Sequence, residues 1–346
     1  MRVPRRGGGR ARVRHGRPST RRSRPRRRGS PRSRWTRTDG TGVPSSNRKL
    51  ISKEEHRDRD HRHHRVTGDV GGKTLELLHA EGVQVRAVVR RTEQAERLRA
   101  RGIDARLADL DDLDALTRAL DGVDRFFLVT PVSERQAEQG ATGVRAAERA
   151  GVPRVVHLSG GDAAEHSPMP WAAAAWGTDR LLRASGTAWT ILHPSAFMTN
   201  LLPSAPAIRR GWFPHTTGRG RAGWIDTADI ARTAATVLTT DGHDGTEPVL
   251  TGPASLDAHG IADELTAGLG RRVRPLHLPS RVYRAVVRAG GVPAWQAEGL
   301  RQQFGRVLRR GLDGVDVMRD DVTRITGTAP RPLRAWAADH RDDLLG

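Results

Sequence analysis

Thr67-Gly68-Asp69-Val70-Gly71 places two glycines three residues apart at the head of an amphipathic stretch. Glycines so placed let backbone N–H groups close on a phosphate, and the following helix adds partial positive charge at its N-terminus. The chemistry served is the holding of a pyrophosphate. Arg90 and Arg91 follow the apolar run Val83–Val89. Two cations at a strand end suit a sugar 2′-phosphate through charge-assisted hydrogen bonds, where a carboxylate would suit a free 2′-hydroxyl; a solvated arginine pair is the plainer alternative. Asp109-Leu110 closes the next strand. Its carboxylate would hold an adenine amino group or simply open the following helix, whose first turn Asp111, Asp112 and Asp114 also fit. Thr130-Pro131, Ser159-Gly160-Gly161 and Pro194 end three further strands, and in open parallel sheets the ligand crevice lies outside such ends. Ser159 is the one candidate for chemistry among them, or an ordinary turn serine.

These positions need a scaffold, and the sequence supplies one by alternation. Helices are expected over Lys73–Glu81, Glu93–Arg101, Leu113–Leu120, Gln136–Ala150, Trp176–Ala184 and Thr227–Thr239. Strands are expected over Val83–Val89, Ile103–Ala108, Val123–Val129, Val152–Leu158, Ala188–His193 and Pro248–Thr251. Several helices stop at glycine, a common C-terminal signal. Strand–helix alternation implies an α/β, doubly wound parallel sheet with helices on both faces. The expected strand order is 3-2-1-4-5-6-7. The segment 203–224 reads as a loop over a pocket, and 256–346 as a smaller, mostly helical lobe.

Charge divides the 346 residues unevenly. Residues 1–65 hold 23 Lys and Arg against 5 Asp and Glu, and the remainder holds 36 against 34. Of the net +20, +18 therefore belongs to the leader and +2 to the rest, and the near-neutral body argues against specific nucleic-acid binding. Residues 1–60 are too poor in aliphatic side chains to offset chain entropy and read as a disordered tail, before a dinucleotide-binding domain at 61–255 and a cap lobe at 256–346. Cysteine is absent, which excludes disulfides and thiolate chemistry. No apolar run is long enough for a membrane span, so a cytoplasmic protein is expected. His56, His61, His63 and His64 lie in the tail without supporting partners, and no metal site is expected.

The element before the glycine turn is the one conflict. An apolar strand belongs there, yet the sequence reads His61-Arg62-His63-His64-Arg65. A one-base shift through suitable His and Arg codons decodes as Ile-Val-Thr-Thr-Gly, which would supply the strand and a further glycine. That points to a frame or start-site artefact over residues 1–65.

From Val66 to about Pro279 the chain resembles the NmrA-like branch of the atypical short-chain dehydrogenase/reductase superfamily. The resemblance runs through Thr67–Gly71, Val88-Val89-Arg90, Asp109–Asp112, Phe127–Pro131, Val155–Gly160, Trp189–Pro194, Asp226–Ala231 and Val249–Pro253. It implies a Rossmann core that binds NAD(P), with the C-terminal lobe closing over the nicotinamide. It also exposes a departure. The Tyr-x-x-x-Lys acid pair of typical short-chain reductases falls on Trp171 and Ala175, and neither transfers a proton. Direct hydride transfer to a quinone-like acceptor needs less acid help. The expected activity is therefore an NADPH-dependent oxidoreductase, with NADP(H) preferred over NAD(H) through Arg90 and Arg91. Trp171, Phe197 and Trp212 are expected to wall the acceptor pocket. The alternative is a non-catalytic NADP(H) sensor that binds a regulated protein partner. Monomer and homodimer are both left open.

Overall fold

The computed structural model of the chain describes residues 49–52, 69–309 and 317–346. Seven strands form one parallel sheet in the order β3-β2-β1-β4-β5-β6-β8. They are β1 (Lys49–Ser52), β2 (Val85–Val89), β3 (Asp104–Leu107), β4 (Arg125–Leu128), β5 (Arg154–Leu158), β6 (Ala188–Pro194) and β8 (Val249–Leu250). The remaining two, β7 (Trp212–His215) and β9 (Arg274–His277), pair in parallel in a separate ribbon. Helices α1 (Asp69–Ala80), α2 (Thr92–Arg99), α3 (Leu113–Leu120), α4 (Gln136–Arg149), α5 (Pro170–Ala184) and α7 (Thr227–Thr239) connect and cover the sheet.

Strand periodicity explains the two-sided core. Successive side chains leave a strand on opposite faces. Phe127, Val156 and Leu192 accordingly join Leu75, Leu78 and Ile230 of α1 and α7 in one cluster. Their neighbours Phe126, Val155 and Ile191 join Leu116, Val144 and Leu182 of α3, α4 and α5 in another. Small residues set the depth of α4: a Cβ at Gly143 would stand 2.5 Å from Leu128, and one at Gly140 would stand 2.0 Å from Thr178 of α5. A larger residue at either position would push α4 off the sheet or off α5. One cation is buried in β2: Arg86 donates to Asp104 Oδ2 at 2.8 Å and to the carbonyls of Ala119 and Asp121. Burial raises the Asp104 carboxyl, but the Arg86 hydrogen bond and charge, with Arg106, outweigh it and hold the group below its ordinary value.

A third cluster builds the lobe. Trp336 and Leu333 of α12 (Leu333–Asp339) and Leu265 of α8 (Ala258–Leu269) pack with Phe213, Trp224 and Ile208 of α6 (Ala205–Ile208). The segment expected to be a loop thus contains α6 and β7 and contributes core side chains. Helices α9 (Ser280–Ala289) and α10 (Ala294–Gln302) lead into a π-helical turn, Gln303–Leu308. Helix α11 (Asp321–Thr326) returns to the sheet, where Val322 joins the α1/α7 cluster, and α13 (Arg341–Leu345) ends the chain.

Three differences from the sequence reading matter. Residues 1–60 are not wholly a tail, because Lys49–Ser52 occupies the central slot of the sheet, opposite Val85–Val88 and Arg125–Phe127. Helix α1 begins at Asp69 rather than Lys73, taking Asp69, Val70 and Gly71 into its first turn. Helix α5 begins at Pro170 rather than Trp176; proline at the first helical position has its φ preset and no N–H to waste. The histidines of the leader and the stretch 61–65 lie outside the described residues.

Candidate active site

A cavity of about 280 Å³ runs along the carboxyl ends of β4, β5 and β6. Val70 of α1 borders it, beside Thr130 after β4, Ser159 after β5 and Pro194 at the end of β6. The β6 end is held by a clamp. His193 Nε2 lies 3.0 Å from Glu247 Oε2 and its Nδ1 lies 3.0 Å from the Gly160 carbonyl. Arg183 fixes Glu247 through two hydrogen bonds. The Arg183 hydrogen bond, opposed by partial burial and helped by His193, keeps the Glu247 carboxyl below its ordinary value. Gly161 donates to the Pro194 carbonyl at 2.8 Å, and a Cβ there would press to 3.0 Å on that oxygen.

Beneath the floor sits a polar trio. Ser159 Oγ donates to Asp179 Oδ2 at 2.8 Å. Asp179 Oδ1 faces His157 Nε2 at 3.5 Å, and both side chains are fully buried. His157 Nδ1 lies 3.1 Å from the Leu128 carbonyl. Burial pushes the His157 imidazole below its ordinary pKa; Asp179 and the carbonyl pull upward, and His193 adds a smaller downward push. Asp179 escapes sequence reading because its contacts lie 20 and 22 positions away, although a histidine inside the apolar run Val155-Val156-His157-Leu158 is a visible anomaly.

The lobe closes the cavity through Trp171. Its ring lies so close on α10 that a Cβ at Gly299 would come within 2.3 Å of it, and Trp295 meets it edge-on at 6.4 Å. Gln303 Nε2 donates to Asp162 Oδ2 at 2.8 Å, tying the π-helical turn to the loop after β5. Phe197 lines the same space, as do Trp171 and Ala175, the positions where the acid pair of typical short-chain reductases would stand.

Other expected residues are placed differently. Trp212 does not wall the cavity: it is 40% exposed, with Arg274 5.9 Å from its ring. Strand alternation sends Phe213 inward instead. The Asp69 carboxylate is engaged by Lys73 Nζ at 2.7 Å and by Thr227 Oγ1 of α7. Leu110 and Pro131 are buried, Leu110 within the second core cluster. Asp109 accepts from the Asp111 backbone at 3.0 Å and lies 3.9 Å from Arg90, where β2 and β3 end. Arg91 precedes α2 in extended conformation. Asp226 caps α7, its carboxylate accepting from the Ala228 backbone. Thr67 and Gly68 lie outside the described residues.

The profile of a family described as NAD(P)H-binding matches residues 66–241. The chain belongs to this family. It is 34% identical over 275 residues to an NAD(P)H azoreductase of Xenophilus azovorans, covering 79% of this chain and 95% of that one. Quinone oxidoreductase 2 of Escherichia coli (strain K12) is 33% identical over 251 residues, 71% of this chain and 87% of that one. The crystal structure of the E. coli NADPH-dependent quinone oxidoreductase complexed with NADPH matches with a TM-score of 0.73 at 28% identity, over 84% of this chain and 99% of that one. A negative transcriptional regulator, NmrA, solved with NAD, shares the fold with a TM-score of 0.62 at 18% identity.

The residues present fit such a dinucleotide. One edge of the cavity, where Val70 of α1 stands beside Val129 and Thr130 after β4, reaches the place where strand order reverses between β1 and β4, the usual crevice of open α/β sheets. Gln136 borders it with its Oε1 buried and lacking a protein partner. No helix among the described residues is long and apolar enough to cross a membrane.

Proposed function

We propose that this protein is an NADPH-dependent reductase of small quinone-like acceptors. The carrying observation is the cavity itself: an apolar wall of Trp171, Phe197 and Leu158 stands with the hydroxyl residues Thr130, Ser159 and Ser195 at the ends of the sheet strands. The sequence similarity to an azoreductase and a quinone oxidoreductase supports the same reading. A bound reduced nicotinamide supplies hydride. The chain's own tasks are to stack the acceptor against Trp171 and Phe197, to exclude water with α10 and the π-helical turn, and to present Ser159. Arg90 and Arg91 are assigned to the 2′-phosphate, giving the preference for NADP(H). Thr130, Ser159 and Pro194 border the bound cofactor, with Val70, Gly71 and the preceding Thr67-Gly68 on the pyrophosphate side. Asp109, already engaged beside Arg90, serves the adenosine end by holding that arginine.

The test is NADPH oxidation measured with quinone, azo and carbonyl acceptors. Saturable turnover on the quinone supports the reading. Tight NADPH binding with no turnover on any acceptor would make the chain a nucleotide sensor that serves a partner protein.

A further inference from the structure

Reduction of a quinone to a hydroquinone, or of an azo bond to a hydrazo group, takes one hydride and one proton. Trp171 and Ala175 cannot supply that proton. The polar side chain on the cavity floor that leads inward is Ser159, and it leads to Asp179 and then His157.

The geometry of that pair has a consequence. A carbonyl oxygen only accepts, so His157 Nδ1 must carry a proton toward Leu128. In the neutral ring Nε2 is then a bare lone pair, and it faces Asp179 Oδ1 at 3.5 Å. Neither atom has another hydrogen-bond partner, and both side chains are fully buried. A carboxylate oxygen against a lone pair, both cut off from water, is repulsive on both sides. One additional proton between them removes the conflict, whether it sits on the carboxyl or on the ring. The charged or titratable groups bearing on the pair are Arg183, farther along α5, and His193 of β6; β4 contributes the Leu128 carbonyl.

We propose that Asp179 and His157 store one proton beneath the cavity and that Ser159 delivers it to the reduced acceptor. The proposal rests on the reductase reading above. Hydride from the nicotinamide leaves an anionic oxygen or nitrogen on the acceptor. The Ser159 O–H bond breaks as the new acceptor O–H or N–H bond forms. A half-turn of the Asp179 carboxyl about Cβ–Cγ carries the stored proton to Ser159 Oγ, restoring the hydroxyl. The store regains its proton from water once product leaves. Ser159 is the catalytic residue; Asp179 and His157 are positioning residues that act through it.

Nitrogen NMR of the imidazoles in the full chain, run beside NADPH binding and acceptor turnover, tests this. In the wild type the His157 Nε2 signal is expected to read as proton-sharing and to stay so from about pH 6 to about pH 8.5, where an ordinary histidine loses its proton. Asp179→Asn can donate to Nε2 and accept from Ser159, so it is expected to keep the fold. It should turn Nε2 into a hydrogen-bonded lone pair and lower turnover about a hundredfold, with NADPH affinity unchanged. Ser159→Ala should lower turnover similarly while leaving the His157 signal as in the wild type, and Ser159→Thr should recover much of the loss. These two variants decide the matter if Asp179→Asn fails to fold. A wild-type Nε2 that reads as a bare lone pair or titrates freely overturns the proton store, and so does undiminished turnover in Asp179→Asn. A wild type that binds NADPH and reduces no acceptor overturns the reductase reading, whatever the imidazole shows.

Discussion

The two ends of the crevice are built differently. At the β4–β6 end, each strand runs from apolar sequence into a short turn, and the turns are cross-tied: Ser159 to Asp179, Gly161 to Pro194, and Gly160 through His193 to Glu247 and Arg183. At the β1–α1 end, the strand is the short run Lys49-Leu50-Ile51-Ser52, and residues 53–68 separate it from α1. In a compact dinucleotide fold a glycine turn of a few residues does that work. The contrast shows that the sheet imposes its own demand. The slot between β2 and β4 must be filled by a strand that pairs on both sides, and the chain fills it with its nearest preceding adjacent aliphatic pair, even inside a basic leader.

The largest effect should come from emptying that slot. Removing residues 1–48 keeps β1 and should leave the melting temperature close to that of the full chain. Removing residues 1–52 takes both ladders, a loss comparable with the ~5–15 kcal/mol stability of a whole domain, and should abolish cooperative thermal unfolding. We propose that the shorter chain is rescued by His61→Ile, Arg62→Val, His63→Thr, His64→Thr and Arg65→Gly, which place a strand directly before α1. Circular dichroism melts separate the outcomes. Unaltered melting of the chain lacking 1–52 would show that β1 is dispensable.

A smaller effect is expected at the far edge of the same end. If Arg90 holds the 2′-phosphate as proposed, Arg90→Asp should weaken NADPH about tenfold or more while sparing NADH, measured by fluorescence titration. Equal losses for both nucleotides would remove Arg90 from 2′-phosphate recognition.

The smallest effect lies in the lobe. His215 stacks on Phe213, with its ring edge-on to His277 at 5.2 Å. Burial first, and then His277 and His259, push its pKa down to about 4, against a weaker upward pull from Asp257. Between about 6.5 and about 4 the unfolded chain therefore binds the proton that the folded chain refuses. Stability should fall as pH drops through that window and be flat above it. After allowance for solvent screening the contribution is about 1–2 kcal/mol. His215→Gln should flatten this part of the denaturation profile, and an unchanged slope would assign it to other groups.

The strand-end half was legible because its signals are local. Continuous apolar runs locate β2, β4, β5 and β6 to within about two residues, and α7 spans Thr227–Thr239 as expected, with Asp226 as its cap. What sequence could not show is either short or distant. In Lys49–Ser52 two aliphatic residues stand amid lysines and arginines, so periodicity is outvoted by composition. Asp179 meets Ser159 and His157 across 20 and 22 positions, through the tertiary packing of α5, which sits beside α4 at Gly140. Trp212 was assigned to the pocket by residue type, whereas alternation along β7 sends it outward and its neighbour Phe213 inward.

Trp171 and Trp212 together offer the most direct test of the claim that acceptors are reduced in the cavity at the ends of β4–β6. Steady-state NADPH oxidation with a quinone should be compared for Trp171→Ala and Trp212→Ala. Stripping the wall at Trp171 should raise the quinone KM or lower kcat/KM about tenfold or more, as expected for removing a large aromatic contact. Trp212→Ala should leave both constants within about twofold of the wild type. The reverse pattern, with Trp212 decisive and Trp171 neutral, would move acceptor reduction out of this cavity and contradict the account.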